Sequence, residues 1–213
     1  MHEKIYTITV NEAFEAASGC PFCRLYARLE SNETDIILGG AMMEPAIRIE
    51  TNKRGFCADH LTALFGMKNR LSLALILESH MSQNILPAVG KGHAGHTGEC
   101  YICERIEYAL VRMLECAALL WKRESEFRKL LDGQEYFCLP HYARLLECGK
   151  YTLSKKEYAG YREALQAVVS RYAASLHEDL SWFIKKFDYR YADEPWDGAQ
   201  DAVERAMRFL RPM

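Results

Sequence analysis

The sequence predicts an all-α protein, a helical bundle built from two CxxC…CxxH repeats plus a long C-terminal helix. Three observations support this fold class. Apolar residues recur at spacings of three and four over most of the chain, which is the period of an amphipathic helix. A Cys/His pattern occurs twice at nearly equal spacing. A capping-box sequence at Ser154 opens the longest apolar stripe, which continues to Phe187.

The first half of the chain contains three predicted helices. Pro21 suits a first helical turn, where its missing N–H costs nothing, so a helix should run from there to Gly39-Gly40. A second helix should start with "CADHLTALF" and a third should cover "NRLSLALILESHMSQNIL". No strand–helix–strand alternation surrounds Cys20, as a glutaredoxin-like redox fold would require.

The second half is predicted to be helical as well. An apolar stripe from Ile106 to Trp121 indicates a helix that ends by Asp132-Gly133, and "FCLPHYARLLECG" follows with Gly149 as a C-cap candidate. The stripe from Tyr158 to Phe187 should be buried along one long helix. Pro195 interrupts the pattern, and "AQDAVERAMRFL" predicts a last helix.

Composition and charge exclude several classes of protein. The chain of 213 residues is 49% hydrophobic, which suits a sizeable core in one large domain or two small ones. A net charge of −2 provides no basic surplus for nucleic acid. The apolar run "LSLALIL" is too short to span a bilayer, and "MHEKIYTITV" does not resemble a secretion signal. An unexported chain with eight cysteines favours metal or redox chemistry over structural disulfides.

The duplicated motif is the main functional signal. In each repeat, 33 or 34 residues separate a CxxC from a CxxH whose cysteine comes directly after a phenylalanine. Three cysteines and one histidine are the ligands of a tetrahedral Cys3His zinc site, whereas a redox dithiol needs no CxxH. The predicted metal ligands are Cys20, Cys23, Cys57, His60, Cys100, Cys103, Cys138 and His141.

The expected function is zinc binding at two structural sites, in a protein that acts by binding a partner protein or a small ligand. Four protein ligands leave no open coordination position, which argues against zinc catalysis. Two alternatives stay open: a thiol redox or metal-handling protein that uses the CxxC pairs, and an iron–sulfur protein. No catalytic residues are assigned, and neither nucleic acid nor membrane is an expected partner.

Local closure of each repeat is the expected pairing, because short loops cost the least entropy to close. Cys20 and Cys23 should therefore join Cys57 and His60, with the other four ligands forming the second site. A crossed arrangement, in which the CxxC of one repeat meets the CxxH of the other, is the rival hypothesis.

The predicted organisation follows this local pairing. It places the first metal-binding repeat at 1–90, a linker at 91–99, the second repeat at 100–150, and a C-terminal helix and tail that packs on both at 151–213. His93 and His96 lie in the glycine-rich linker "VGKGHAGHTGEC". They are interpreted as linker residues, with extra metal ligation as the alternative.

Several stretches together resemble an uncharacterised family of bacterial proteins, a domain of unknown function. They are "KIYTITVNEAF", "CPFC", "MMEPAIRIETNKRGFCADH", "NRLSLALILESH", "YFCLPHY" and "KKFDYRYADEPW". The resemblance covers nearly the whole chain. It implies a cytoplasmic bacterial protein that works as a single unit, and it implies no established activity.

Overall fold

The computed structural model describes residues 3–16, 18–93 and 99–211, and within these ranges the chain forms helices and no β-strand. The predicted all-α fold is confirmed. The α-helices are α1 (Glu3–Glu15), α2 (Pro21–Leu38), α3 (Pro45–Arg54), α4 (Ala58–Gly66), α5 (Arg70–His80), α6 (Leu86–Val89), α7 (Tyr101–Arg123), α8 (Ser125–Asp132), α9 (Leu139–Thr152), α10 (Lys155–Lys185) and α11 (Ala202–Leu210). None of these helices combines the length and apolar character needed to cross a membrane.

The chain divides into two compact units. Unit 1 comprises Met1–Leu25 and Val111–Met213, and unit 2 comprises Tyr26–Leu110. These boundaries fall inside α2 and α7. Each unit contains one CxxC and one CxxH, but the two motifs of a unit come from different repeats.

Unit 2 is built on the buried apolar faces of its helices. Its core includes Phe56, Leu64, Leu73, Ile76 and Ile102. The predicted third helix is present as α5, followed by a π-helical turn at Met81–Ile85 and then α6.

Unit 1 packs α10 against α8, α9 and α11. The predicted capping box is present: the backbone N–H of Glu157 donates to the Ser154 hydroxyl, and the Glu157 carboxylate accepts from the Ser154 N–H. The single helix predicted to end by Asp132 is instead two helices, α7 and α8. They are separated at Glu124, whose backbone is extended, and the Arg128 guanidinium donates to the Trp121 and Lys122 carbonyls that end α7.

Two further predictions for unit 1 are wrong. Gly149 is not the C-cap of α9, which continues to Thr152; a Cβ at Gly149 would lie 2.7 Å from the ring of Tyr161, so glycine is needed for close packing of α9 on α10. The long apolar stripe is buried from Tyr161 to Leu176, but Phe187 is 77% exposed and lies beyond the end of α10 at Lys185.

Candidate metal centre

Each CxxH motif begins a helix in the same way. Cys57 is the N-cap of α4 and Cys138 the N-cap of α9, both with extended backbone. The histidine three residues later lies in the first helical turn, which returns its ring to the cysteine. The Sγ of Cys57 lies 3.1 Å from Nδ1 of His60, and the Sγ of Cys138 lies 3.1 Å from Nδ1 of His141.

The CxxC motifs begin helices too. Cys20 precedes α2, and its carbonyl accepts the backbone N–H of Cys23. Cys100 precedes α7, and its carbonyl accepts the backbone N–H of Glu104. The prediction that every ligand pair lies at a helix N-terminus is therefore confirmed. The partial positive charge of these four N-termini favours thiolates there.

The eight predicted ligands form two separate four-residue clusters. Within each cluster the ligand atoms all lie within 4.8 Å of one another. Cluster 1, in unit 1, consists of Cys20, Cys23, Cys138 and His141. Cluster 2, in unit 2, consists of Cys57, His60, Cys100 and Cys103.

The distances within the clusters fit a tetrahedral ion. Zinc bonds of about 2.3 Å to sulfur and about 2.0–2.1 Å to nitrogen place sulfurs about 3.8 Å apart and sulfur about 3.5 Å from nitrogen. Cys23 and Cys138 sulfurs are 3.6 Å apart, and those of Cys57 and Cys103 are 3.8 Å apart. The eight cysteines form no disulfide, for which these separations are much too long.

The sulfur-to-nitrogen distances agree with the same geometry. In cluster 1, Nδ1 of His141 lies 3.7 Å from the Cys20 sulfur and 3.5 Å from that of Cys23. In cluster 2, Nδ1 of His60 lies 3.3 Å from the sulfurs of both Cys100 and Cys103. The donor set of each cluster therefore fits one divalent ion.

The predicted local pairing is wrong, because each CxxC meets the CxxH of the other repeat. Helix length provides the physical reason: α2 rises about 27 Å over its 18 residues, whereas α3 returns only about 15 Å over its 10. The CxxH after α3 therefore meets the middle of α2, where Glu30 lies 3.2 Å from His60. Closing 115 residues between Cys23 and Cys138 rather than 34 costs only about 1 kcal/mol in loop entropy.

Crowding of thiols controls the ionisation of cluster 1. Burial raises the pKa of Cys20, but hydrogen bonds from Cys138 and Cys23 to its sulfur outweigh burial, so the pKa is lowered overall. The hydrogen bond to Cys20 is the main cause that raises the pKa of Cys138 to about 12. Hydrogen bonds with Cys138 and Cys20 raise the pKa of Cys23 as well. A metal-free cluster thus stabilises one thiolate, whereas a divalent cation would stabilise all three.

Cluster 2 shows the same competition at Cys103. Partial desolvation, together with hydrogen bonding to Cys100, raises the pKa of Cys103 to about 12. The ligand loops are joined by a backbone hydrogen bond from the N–H of Tyr101 to the carbonyl of Gly55, with a length of 3.1 Å. This bond holds the starts of α4 and α7 together independently of any metal.

Two residues that support the clusters were not identified from the sequence. Oε1 of Glu30 lies 3.2 Å from Nε2 of the buried His60, although the N–H direction is not aligned well enough for a hydrogen bond. A carboxylate that faces the second nitrogen of a ligating histidine helps to orient the ring. In unit 1, the Arg24 guanidinium donates to the Ala13, Ala16 and Ser18 carbonyls and holds the loop before Cys20. Helical spacing alone signals neither contact.

Of the two linker histidines, only His93 can be compared with the observed clusters. Neither cluster includes His93, and His96 lies outside the described residues.

Comparison with known families shows which family the chain belongs to. The chain matches a family of unknown function (DUF6062) over residues 1–87 and again over residues 83–213. The protein belongs to the DUF6062 family. The comparisons with curated proteins and with solved structures find no match. Membership of the DUF6062 family therefore confirms the resemblance noted from the sequence but supplies no activity, and the function must be argued from the two clusters.

Proposed function

We propose that the protein is a bacterial cytoplasmic zinc protein that binds one zinc ion in each cluster, and that both ions stabilise the fold. The protein acts by binding a partner protein or a small ligand. Zinc is not catalytic in this account, because three thiolates and one imidazole fill all four positions of the tetrahedron.

One observation carries the proposal: two separate sets of three sulfurs and one nitrogen lie at the spacing of a tetrahedron's edges. Crossed pairing makes chance proximity a poor explanation, since ligands 115 residues apart in sequence come together in cluster 1. The same design, with ligands at the N-cap and at the third helical position, occurs at all four helix starts.

The geometry favours zinc over the two alternative chemistries. Iron–sulfur clusters take their ligands on several iron atoms, which holds the ligands farther apart than a single ion does, whereas all ligand atoms here lie within 4.8 Å. For a redox pair, the attacking cysteine should be accessible, but Cys20 is only 2% exposed.

A structural role follows from the elements that each cluster joins. Cluster 1 ties the start of α2 to the start of α9, and cluster 2 ties the start of α4 to the start of α7. Since a preformed site does not exist in the unfolded chain, the free energy of zinc binding becomes free energy of folding.

Exposed apolar side chains support the partner-binding role. At the end of α10, Ile184 and Phe187 are exposed, and the nearby Tyr189 is 89% exposed. A small open pocket in unit 2, where a ligand would fit, is lined by Met43, Pro45, Arg48, Ile49, Asn52 and Gln83.

Metal analysis combined with thermal unfolding tests the proposal. Protein purified without added metal or a chelating tag should contain two zinc ions per chain, be colourless, and melt earlier after chelation. Brown protein that contains iron would favour the iron–sulfur alternative. Metal-free protein whose melting temperature does not change in chelator would contradict a structural role for zinc. It would favour the alternative of a thiol redox protein.

A further inference from the structure

The two clusters differ in how much of their sulfur reaches solvent. In cluster 1, Cys138 is fully buried, Cys20 is 2% exposed, and Cys23 is partly buried. In cluster 2, Cys103 is exposed and Cys57 is only partly buried. Cluster 2 therefore contains one exposed and one partly buried cysteine, whereas cluster 1 contains one partly buried and two buried cysteines.

Aromatic packing explains the enclosure of cluster 1. The ring of Phe22 lies 5.9 Å from the ring of His141, and Phe14 packs on Phe22 and on Phe137 with ring centres 6.0 Å apart in each case. All three phenylalanines are buried. These rings, from α1, α2 and the loop before α9, pack beside cluster 1 and shield it from water.

Cluster 2 is less enclosed. Phe56, Tyr101 and Ile102 are buried in the core of unit 2 and cover its inner side. On the outer side, the chain neighbours Ala58 and Glu104 are exposed. Cluster 2 therefore has a buried face and a face that is open to solvent.

The ligands of cluster 2 are arranged along this division. The sulfurs of Cys57 and Cys103 are 3.8 Å apart and neither residue is buried, whereas His60 and Cys100 are. A molecule that approaches from solvent therefore meets this edge of two thiols first. A donor atom that arrives there would compete with these two sulfurs for a bound zinc ion before it could reach His60 or Cys100.

We propose that cluster 2 is an exchangeable zinc site, open to thiol- or nitrogen-bearing chelating ligands at the edge formed by Cys57 and Cys103, whereas cluster 1 retains its ion. This inference rests on the proposed zinc binding. In the exchange step, a lone pair of the incoming donor forms a bond to zinc as the bond from zinc to Cys103 breaks. The released thiolate takes a proton from solvent, and no electron is transferred.

Glu30 is assigned as a positioning residue for this step. Its carboxylate lies 3.2 Å from Nε2 of His60, and 38% of the Glu30 side chain is exposed. By attracting the imidazole N–H it holds the ring in place, so that the histidine stays bound while the thiolate edge opens. Exchange should thus start at the sulfurs, with His60 the last ligand to leave.

Stopped-flow transfer of zinc from the wild-type holoprotein to a chromogenic pyridylazo chelator tests the proposal. We expect one equivalent to leave well before the second. N-ethylmaleimide added after the first equivalent has left, followed by peptide mass spectrometry, should label Cys57, Cys100 and Cys103 and leave Cys20 and Cys138 unlabelled.

The outcomes separate this proposal from the proposed function. Protein that contains no zinc contradicts both. Two zinc ions that leave at equal rates, or a first equivalent whose loss exposes Cys20 and Cys138 to labelling, would overturn the exchange proposal and leave zinc binding intact.

Glu30→Gln and Glu33→Gln form a matched pair for the positioning role. Glu33 lies one turn along α2, where its carboxylate accepts from Arg105 instead of facing a ligand. Glu30→Gln should accelerate the fast phase about 10-fold or more, in line with the 10–100-fold effects of such carboxylates on metal affinity, without changing the slow phase. Glu33→Gln should change neither phase. If both variants change the rates equally, the loss of one negative charge on α2 explains the effect, and the role assigned to Glu30 is contradicted.

Discussion

Replacing Cys138 with serine tests the crossed arrangement. The change removes one ligand from cluster 1 and releases a tie between residues that are 115 positions apart. If the tie is treated as a cross-link, closure of that loop contributes about 5 kcal/mol to stability. At about 2–4 °C per kcal/mol for a chain of this size, the melting temperature should fall by about 10–20 °C.

Cysteine labelling under native conditions then shows which partners have been released. Compared with wild type, Cys138→Ser should increase the N-ethylmaleimide labelling of Cys20 and Cys23 and leave Cys100 and Cys103 unchanged. The matched variant Cys57→Ser should do the reverse. Increased labelling of Cys100 and Cys103 in Cys138→Ser, with Cys20 and Cys23 as protected as in wild type, would refute the crossed arrangement and restore local pairing.

Three further predictions concern packing, loop support and pH. Gly149→Ala should lower the free energy of unfolding by about 1–3 kcal/mol in chemical denaturation, because the added methyl group would clash with the ring of Tyr161. The control Gly66→Ala, with open space around the residue, should be neutral or slightly stabilising. A neutral Gly149→Ala would contradict the close packing. Arg24→Met should cost about 2 kcal/mol by thermal unfolding, since three carbonyls lose a charged donor, and an unchanged melting temperature would refute that support. Zinc retention should fall as pH decreases from about 8 to about 4, because protons compete with zinc for thiolates. Metal binding lowers the pKa of the ligand thiols below the unfolded value, so the stability they provide is present at neutral pH and lost in acid; zinc content that is independent of pH over this range would contradict thiolate ligation.

The sequence contains enough information to predict the helices and the ligand set, because both depend on local patterns. Helical periodicity and the capping box at Ser154 identified α10, and Pro21 marked the start of α2. The duplicated motif identified all eight residues that form the two clusters. In each motif the cysteine and its partner three residues later need only one helical turn to come together.

Pairing could not be predicted, since it depends on distances set by several elements at once. The loop-entropy argument for local closure distinguishes the two arrangements by only about 1 kcal/mol, and the unequal lengths of α2 and α3 outweigh it. Gly149 illustrates the same limit: its position near the end of a helical pattern indicated a cap, whereas its actual role is contact with Tyr161 on another helix. The contact between Glu30 and His60 likewise joins α2 to α4 and has no local signature.

A crystal structure with anomalous diffraction data collected on both sides of the zinc absorption edge tests the central claim most directly. The account predicts two anomalous peaks per chain. The first should lie among the sulfurs of Cys20, Cys23 and Cys138 and Nδ1 of His141. The second should be bonded to the remaining set, Cys57, His60, Cys100 and Cys103. A single peak, no peak at the zinc edge, or a peak bonded to both Cys23 and Cys57 would contradict the account.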